Sequence, residues 1–418
     1  MFFIQTFRAF RYRDYFIFWS GLFLGHIGSL IQTTAAGWLI LILTDSPFYL
    51  GLNGLCLGLP RVIFSPVGGA VVDRLDRRVL FYFTQSMFFL MSLFLGLMNY
   101  SGLIEVWHVL LVSAVTGFLL SFEQPIRQSI LHHVVPQADL INAVSLYNLI
   151  FNGGPLIGPA IAGVLIPIIG TTGCFFFHAV GSSIVLITIG FIRIPKSVAP
   201  KEKKSLGRDV TDGLVIAWNT PIFFSLFSAL AVISFFTKPY NQFMPVFARD
   251  ILMVGAPGLG FLLMAPGAGA IFGGLVLASA TRFPKTYRLL FALMGGFGLT
   301  LVLFSTSRLF PLSLVFLFLA GVFQSTLLTV ITTTLQLHST DRNRGRIMAL
   351  YGLLNRGLGP MGAFPMGVFA TWFGAPITVA TGALLGMGIT AYVTLWSPHL
   401  RSAGSLAEPS GIKKEGLD

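Results

Sequence analysis

Charge is scarce in this chain. Only 10% of its 418 residues are Asp, Glu, Lys or Arg, where soluble domains carry about 25%. With 55% hydrophobic residues and a mean hydropathy of +0.82, it holds more apolar material than one soluble core can bury, because such cores stop growing near ~250–300 residues. A soluble globule is excluded, and lipid is the solvent for most of the chain. Cysteine is nearly absent. Cys56 and Cys174 both fall in apolar segments and read as small core residues, not as a disulfide framework. No Gly-x-x-x-x-Gly-Lys-Ser/Thr loop occurs, which argues against ATP binding by this chain. His132 and His133 read as solvated loop residues with no convergent acid beyond Asp139, so neither a metal site nor an enzyme is indicated, and no cofactor is implied.

What is present is a succession of apolar runs, each long enough to cross a ~30 Å hydrocarbon core as a helix. Twelve spans are read, at 15–43, 48–72, 79–99, 106–131, 139–167, 172–193, 220–247, 257–280, 288–306, 310–336, 346–371 and 376–396. The expected fold class is an all-α polytopic membrane protein. No small-residue cleavage site precedes the polar turn Thr44-Asp45-Ser46-Pro47, so the first helix is expected to stay. With the N-terminus inside, most of the 27 Lys and Arg fall in cytoplasmic segments, and only Arg249 and Arg308 lie outside. This is the positive-inside asymmetry. It makes the net charge of +12 a topological signal, excludes nucleic acid as the partner, and places both termini in the cytoplasm of a bacterial inner membrane.

The longest polar stretch, Arg193 to Gly213, divides the chain into similar parts. "SLYNLIFNGGPLIGP" (145–159) has a counterpart in "ALYGLLNRGLGP" (349–360), and "GGAVVD" (68–73) aligns with "GGLVLA" (273–278). Asp139 and Asp341 stand 202 positions apart, just before the paired helices. The domains are therefore an N-terminal six-helix half (1–193), a cytoplasmic linker (194–219), a parallel C-terminal six-helix half (220–396) and a polar tail (397–418) expected to be disordered. Two such repeats are the architecture of a secondary transporter, with the cargo site between them near mid-membrane.

"GGAVVDRLDRRVL" (68–80) resembles the loop between helices two and three of the major facilitator superfamily, Gly-x-x-x-Asp-Arg-x-Gly-Arg-Arg. The matching positions are Gly69, Asp73, Arg74, Arg77 and Arg78, with Asp76 where the motif has Gly. "FEQPIRQSILHHVVPQADLINA" and "MPVFARDIL" are similar to the branch holding the enterobactin exporter. Gly158-Pro159-x-x-x-Gly163 partly matches the fifth-helix motif of the superfamily's antiporters. The resemblance implies a cytoplasmic gate in which Asp73 faces the positive N-terminus of helix eleven, Gly69 lets helices approach, and Arg77 pairs with Asp73 and with Glu123, Arg127 adjoining. Asp76 suits the turn because Asp tolerates left-handed backbone.

Arg61, Lys238 and Arg356 lie within spans, where a cation at a helix centre costs about 2.5–3.5 kcal/mol on insertion scales. Each needs a compensating environment. Around them stand His26 and Gln32 in helix one, Asn148 and Asn152 in helix five, Asn241 and Gln242 in helix seven, Gln324 in helix ten and Asn355 in helix eleven. The set suits an anionic cargo, because Arg and Lys bind oxyanions. Glu123, His26 and His178 are the titratable candidates for coupling to protons, the coupling ion that the resemblance implies. The function read from the sequence is export of a small organic molecule by a monomer through alternating access. A siderophore-like anion is the first cargo class; lipophilic drugs are the alternative, and a non-transporting receptor is a third reading.

Overall fold

The computed structural model describes residues 7–192, 206–279 and 286–396. Ten of the described helices are long and apolar enough to cross a membrane by length and composition. They are α1 (Arg13–Thr44), α2 (Pro47–Arg74), α3 (Arg77–Tyr100), α4 (Val106–Val134), a long rod Leu140–Phe191, α7 (Pro221–Ile251), α8 (Gly255–Ser279), α9 (Thr286–Thr306), α10 (Phe310–Leu337) and a second rod Asp341–Trp396. Each rod is interrupted by one glycine in the left-handed half of backbone space, Gly170 at φ 69° and Gly374 at φ 79°. Those breaks divide the rods into α5 (140–169) and α6 (171–191), and α11 (341–373) and α12 (375–396).

Gly170 and Gly374 occupy equivalent places in the two halves, 204 positions apart. The turns that end α1 and α7 match as well. Asp45 (φ 51°) and Met253 (φ 52°) are the positive-φ residues other than glycine among the described residues. The repeat read from sequence is therefore a repeat of backbone conformation too. It shows again in the packing: α2 lies against α11 and α5 against α8, each pair joining one half to the other.

One end of the bundle carries the 75–76, 135–139 and 338–340 turns and may be called the basic end, after Arg77, Arg78, Arg344 and Arg346. The other carries the 45–46, 170, 252–254 and 374 turns and is the far end. At the basic end α5 is held by the first turns of the chain. Asp139 pairs with Arg8 at 2.9 Å and accepts from the Tyr12 hydroxyl at 2.7 Å, a bond that raises the Tyr12 pKa above its ordinary value. Tyr15 donates to the Ala143 carbonyl and Trp19 to that of Leu146. α1 and α5 are thus tied to each other at this end. Within the expected linker, Leu206–Asn219 is helical and packs on α11, and a Cβ on Gly213 would sit 3.3 Å from the Arg346 carbonyl. The tail 397–418 lies outside the described residues.

At the far end the seams between the halves are lined by glycine. A Cβ built on Gly163 of α5 would lie 2.9 Å from the Cα of Gly260 of α8, and one on Gly367 of α11 would lie 2.9 Å from the Cα of Gly51 of α2. Backbones this close leave no passage, and only small residues permit the approach. Arg249, at the end of α7, adds a polar latch. Its guanidinium donates to the Leu41 carbonyl at 3.0 Å and pairs with Asp45 just beyond α1 and with Asp250. The far end is closed.

Two expectations at the basic end are corrected. Asp76 is not left-handed: at φ −64° it caps α3, its carboxylate accepting from the Arg78 amide at 2.8 Å. Asp prefers that role because its oxygen satisfies an amide orphaned at a helix start. His132 and His133 belong to the last turn of α4, not to a loop, although both are exposed.

Candidate functional site

Two cavities, of about 470 Å³ and about 430 Å³, lie side by side on the basic side of the glycine seams, the first within the N-terminal half and capped by Arg356, the second between the halves. The first is walled by His26, Ser29 and Thr33 of α1, Gln85 and Phe88 of α3, Glu123, Gln124 and Arg127 of α4, Tyr147, Asn148, Phe151 and Asn152 of α5 and His178 of α6, with Arg61 from α2 and Arg356 from α11. The second lies between α2, α4 and the first turns of α11, and shares Arg61, Gln124, Gln128 and Arg356 with the first. Volumes of this order suit a small organic molecule.

Glu123 is 4% exposed, and a carboxylate so deep needs partners. It has two: Arg127, one helical turn on, and the Gln85 amide, which donates to Oε1 at 2.9 Å. This overturns the expected pairing of Glu123 with Arg77. Arg127 reaches Glu123 along its own helix, whereas Arg77, at the start of α3, meets His133 at 3.2 Å, ten residues further along α4. Ten residues of helix are about 15 Å. Arg78 donates to the Gly190 carbonyl at 3.1 Å. Gly69, Asp73 and Arg74 belong to α2, and their side-chain surroundings lie outside what the structure describes. A close approach of α2 to α4 does occur one position earlier, where a Cβ on Gly68 would meet the Ser121 backbone.

Phe151 touches both neighbouring cationic or titratable groups. The Arg127 guanidinium lies 5.0 Å from its ring centroid and the His26 ring 4.6 Å. His26 Nε2 is buried and has no hydrogen-bond partner among the described residues. His178, by contrast, is engaged: Nδ1 is 2.9 Å from Gln32 Oε1 and 2.7 Å from Ser92 Oγ. The amide oxygen can only accept, so Nδ1 carries the hydrogen, while the Ser92 hydroxyl donates to the Phe88 carbonyl at 2.7 Å. Gln32 therefore supports the wall and does not line it.

Arg356 donates through Nη1 to Gln124 Oε1, a bond from one half to the other. Arg61 accepts a bond from Ser121 at its carbonyl, and its guanidinium has no side-chain partner among the described residues. Three guanidiniums against one carboxylate leave the cavity walls at a formal +2 among the described residues. Charges of one sign gathered around one cavity repel one another until an opposite charge joins them.

Of the sequence-expected cavity residues, the fold brings together His26, Arg61, Asn148, Asn152 and Arg356. Lys238 is elsewhere. Its Nζ donates to the Asn355 carbonyl at 3.0 Å and to the Asn355 side chain, tying α7 to α11. Asn241, Gln242 and Gln324 line neither cavity. Gln124, Gln128, Gln85, Tyr147 and Phe151 were not singled out in the sequence. The first two carried a signal, since "FEQPIRQ" places polar residues at helical spacing inside an apolar run.

Comparison with known proteins gives a consistent neighbourhood. The profile of a family described as transmembrane secretion effectors matches residues 4–410. The staphyloferrin A transporter of Staphylococcus aureus is 24% identical, over 88% of this chain and 92% of that protein. The multidrug efflux pump Tap of Mycolicibacterium fortuitum is 22% identical, over 91% and 95%. Among solved structures, a bacterial homologue of the human lysosomal transporter Spinster superposes with a TM-score of 0.67 at 17% identity, covering 94% and 96%. The nucleoside transporter NupG gives 0.69 at 13%, covering 93% and 99%.

Proposed function

Because the chain belongs to the transmembrane secretion effectors, a family of major facilitator transporters, we propose that it exports a small organic anion, unchanged, from the cytoplasm across a bacterial inner membrane. Both termini and the basic end face the cytoplasm in this reading, and the bundle crosses the membrane twelve times. The observation that carries it is the position of the charged cavity. With its neighbour it reaches the seam of the halves through Arg61, Gln124 and Arg356, on the side of the basic end, while the Gly51–Gly367 and Gly163–Gly260 contacts close the far end. That is a cargo site loaded from the cytoplasm, and a rocking of the halves that parts the glycine seams would release the cargo outside.

The formal excess of positive charge favours a siderophore-like anion. Protons are the coupling ion, with Glu123 and His26 as the groups that face the cargo and His178 behind them. The aromatic walls, Phe88, Tyr147 and Phe151, favour a second reading, efflux of lipophilic drugs by ring stacking. The deciding experiment uses everted membrane vesicles holding the protein. Accumulation of an added polycarboxylate siderophore that collapses with a protonophore supports the proposal. Accumulation of lipophilic cations alone moves the protein to the second reading, and failure to move either class rejects export.

A further inference from the structure

Gln124 and Glu123 are adjacent on α4 and face different ways. The acid turns into its own half, to Gln85 and Arg127. The amide is presented at the interface, where it accepts from Arg356 of the other half. A carboxylate at 124 would give Arg356 a permanent counter-ion and bind the halves together there. The chain has a neutral acceptor instead, in the wall of both cavities and beside an Arg61 that has no side-chain partner among the described residues.

We propose that Gln124 is a place-holder for an oxyanion of the cargo, occupying Arg356 until the anion arrives. The proposal rests on reading the cavity as the cargo site. Hydrogen bonds between ionised partners are roughly twice as strong as neutral ones, and a carboxylate or catecholate can engage a guanidinium through two oxygens. An arriving oxyanion therefore displaces the amide from Arg356, and a second anionic oxygen reaches Arg61. Those residues stand on α11 and α2, so the bound anion joins the halves where Gln124 had joined them. A neutral or cationic molecule has no means to displace the amide and leaves Arg356 where it is.

The test is equilibrium binding to the full-length purified protein, with citrate and 2,3-dihydroxybenzoate as anionic probes and tetraphenylphosphonium as a cationic one. Gln124→Glu is expected to weaken the anions by about tenfold or more, the effect of losing one charged contact of ~1.4 kcal/mol. Gln124→Ala is expected to strengthen them, because Arg356 no longer has to leave the amide. The cation is expected to respond to neither substitution in that order. Equal weakening by Glu and Ala would mean a structural role and overturn the proposal, as would failure of both anions to bind the unmodified protein. If Gln124→Glu does not fold, Arg356→Gln serves: it must weaken the anions and make the further change Gln124→Ala silent, and additive losses overturn the idea. Binding is read without flux, so a protein that binds as described and transports nothing would reject export and leave the role of Gln124 standing.

Discussion

Arg249 of α7 holds Asp45 and the Leu41 carbonyl of α1, so a single guanidinium ties the ends of the two helices that begin the two halves. The Asp45 side chain is 81% exposed, and an exposed pair of this kind contributes about 0.2–1 kcal/mol. The latch is weak enough to open in each cycle. Arg249→Ala is expected to shift the population toward the far-open state by about two- to fivefold, as that energy allows. A membrane-impermeant thiol reagent presented to the far end reads the shift at a cysteine placed at Ser46. Unchanged labelling would show that the glycine seams alone set the equilibrium.

Gly260→Val tests the seams. A side chain there collides with backbone of α5, not with a yielding side-chain end, since the nearest atoms are the Pro159 carbonyl oxygen at 2.7 Å and Gly163. Overpacking of this sort costs about 1–3 kcal/mol. The expected result is a lower thermal midpoint together with increased labelling at the far end. Gly274→Val, on the same helix but with open space around it, should change neither.

Met253 adopts a left-handed conformation that suits glycine, and its side chain is 82% exposed. Replacing it by glycine removes roughly 1–3 kcal/mol of backbone strain and adds ~0.5–1 kcal/mol of unfolded-state entropy. Met253→Gly should therefore raise the thermal midpoint. Asp45→Gly, at the equivalent position, gains less because Asp tolerates the conformation better and because the latch is lost. A calorimetric comparison of the two variants gives the order.

Glu123→Gln leaves Arg127 without its counter-ion and removes a titratable group from the cavity proposed to hold the cargo. Accumulation driven by a proton gradient is expected to fall by about tenfold or more, the loss of one charge-assisted contact of ~1.5–3 kcal/mol. Exchange of labelled for unlabelled cargo, which needs no proton, should persist. Equal loss of both would assign Glu123 to cargo binding only.

Lys238→Met breaks the tie to Asn355, which is not in the cavity wall. Cargo affinity is expected to stay within about twofold, because replacing a buried ion and its partner contacts by apolar packing acts mainly on stability. Titration of the variant by the same binding assay checks this. A large loss of affinity would return Lys238 to the cargo site, where charge alone had placed it.

Much of the architecture was written in local sequence. Hydropathy averaged over a span decides whether a helix crosses lipid, and the Lys and Arg asymmetry decides which end faces inward; both are sums over neighbouring residues. The repeat that relates Asp139 to Asp341 likewise foreshadowed Gly170 and Gly374, which break the two rods at matching places. The roles of the charged residues needed the tertiary structure. Arg61, Lys238 and Arg356 look alike in sequence, yet two line the cavities and the third is tied to Asn355. Glu123 and Gln124 are neighbours, yet they face different halves. Those outcomes depend on how each helix is rotated about its axis and which helix of the other half it meets, and two of those meetings, Gly51–Gly367 and Gly163–Gly260, have glycine on both sides so that the backbones can come close.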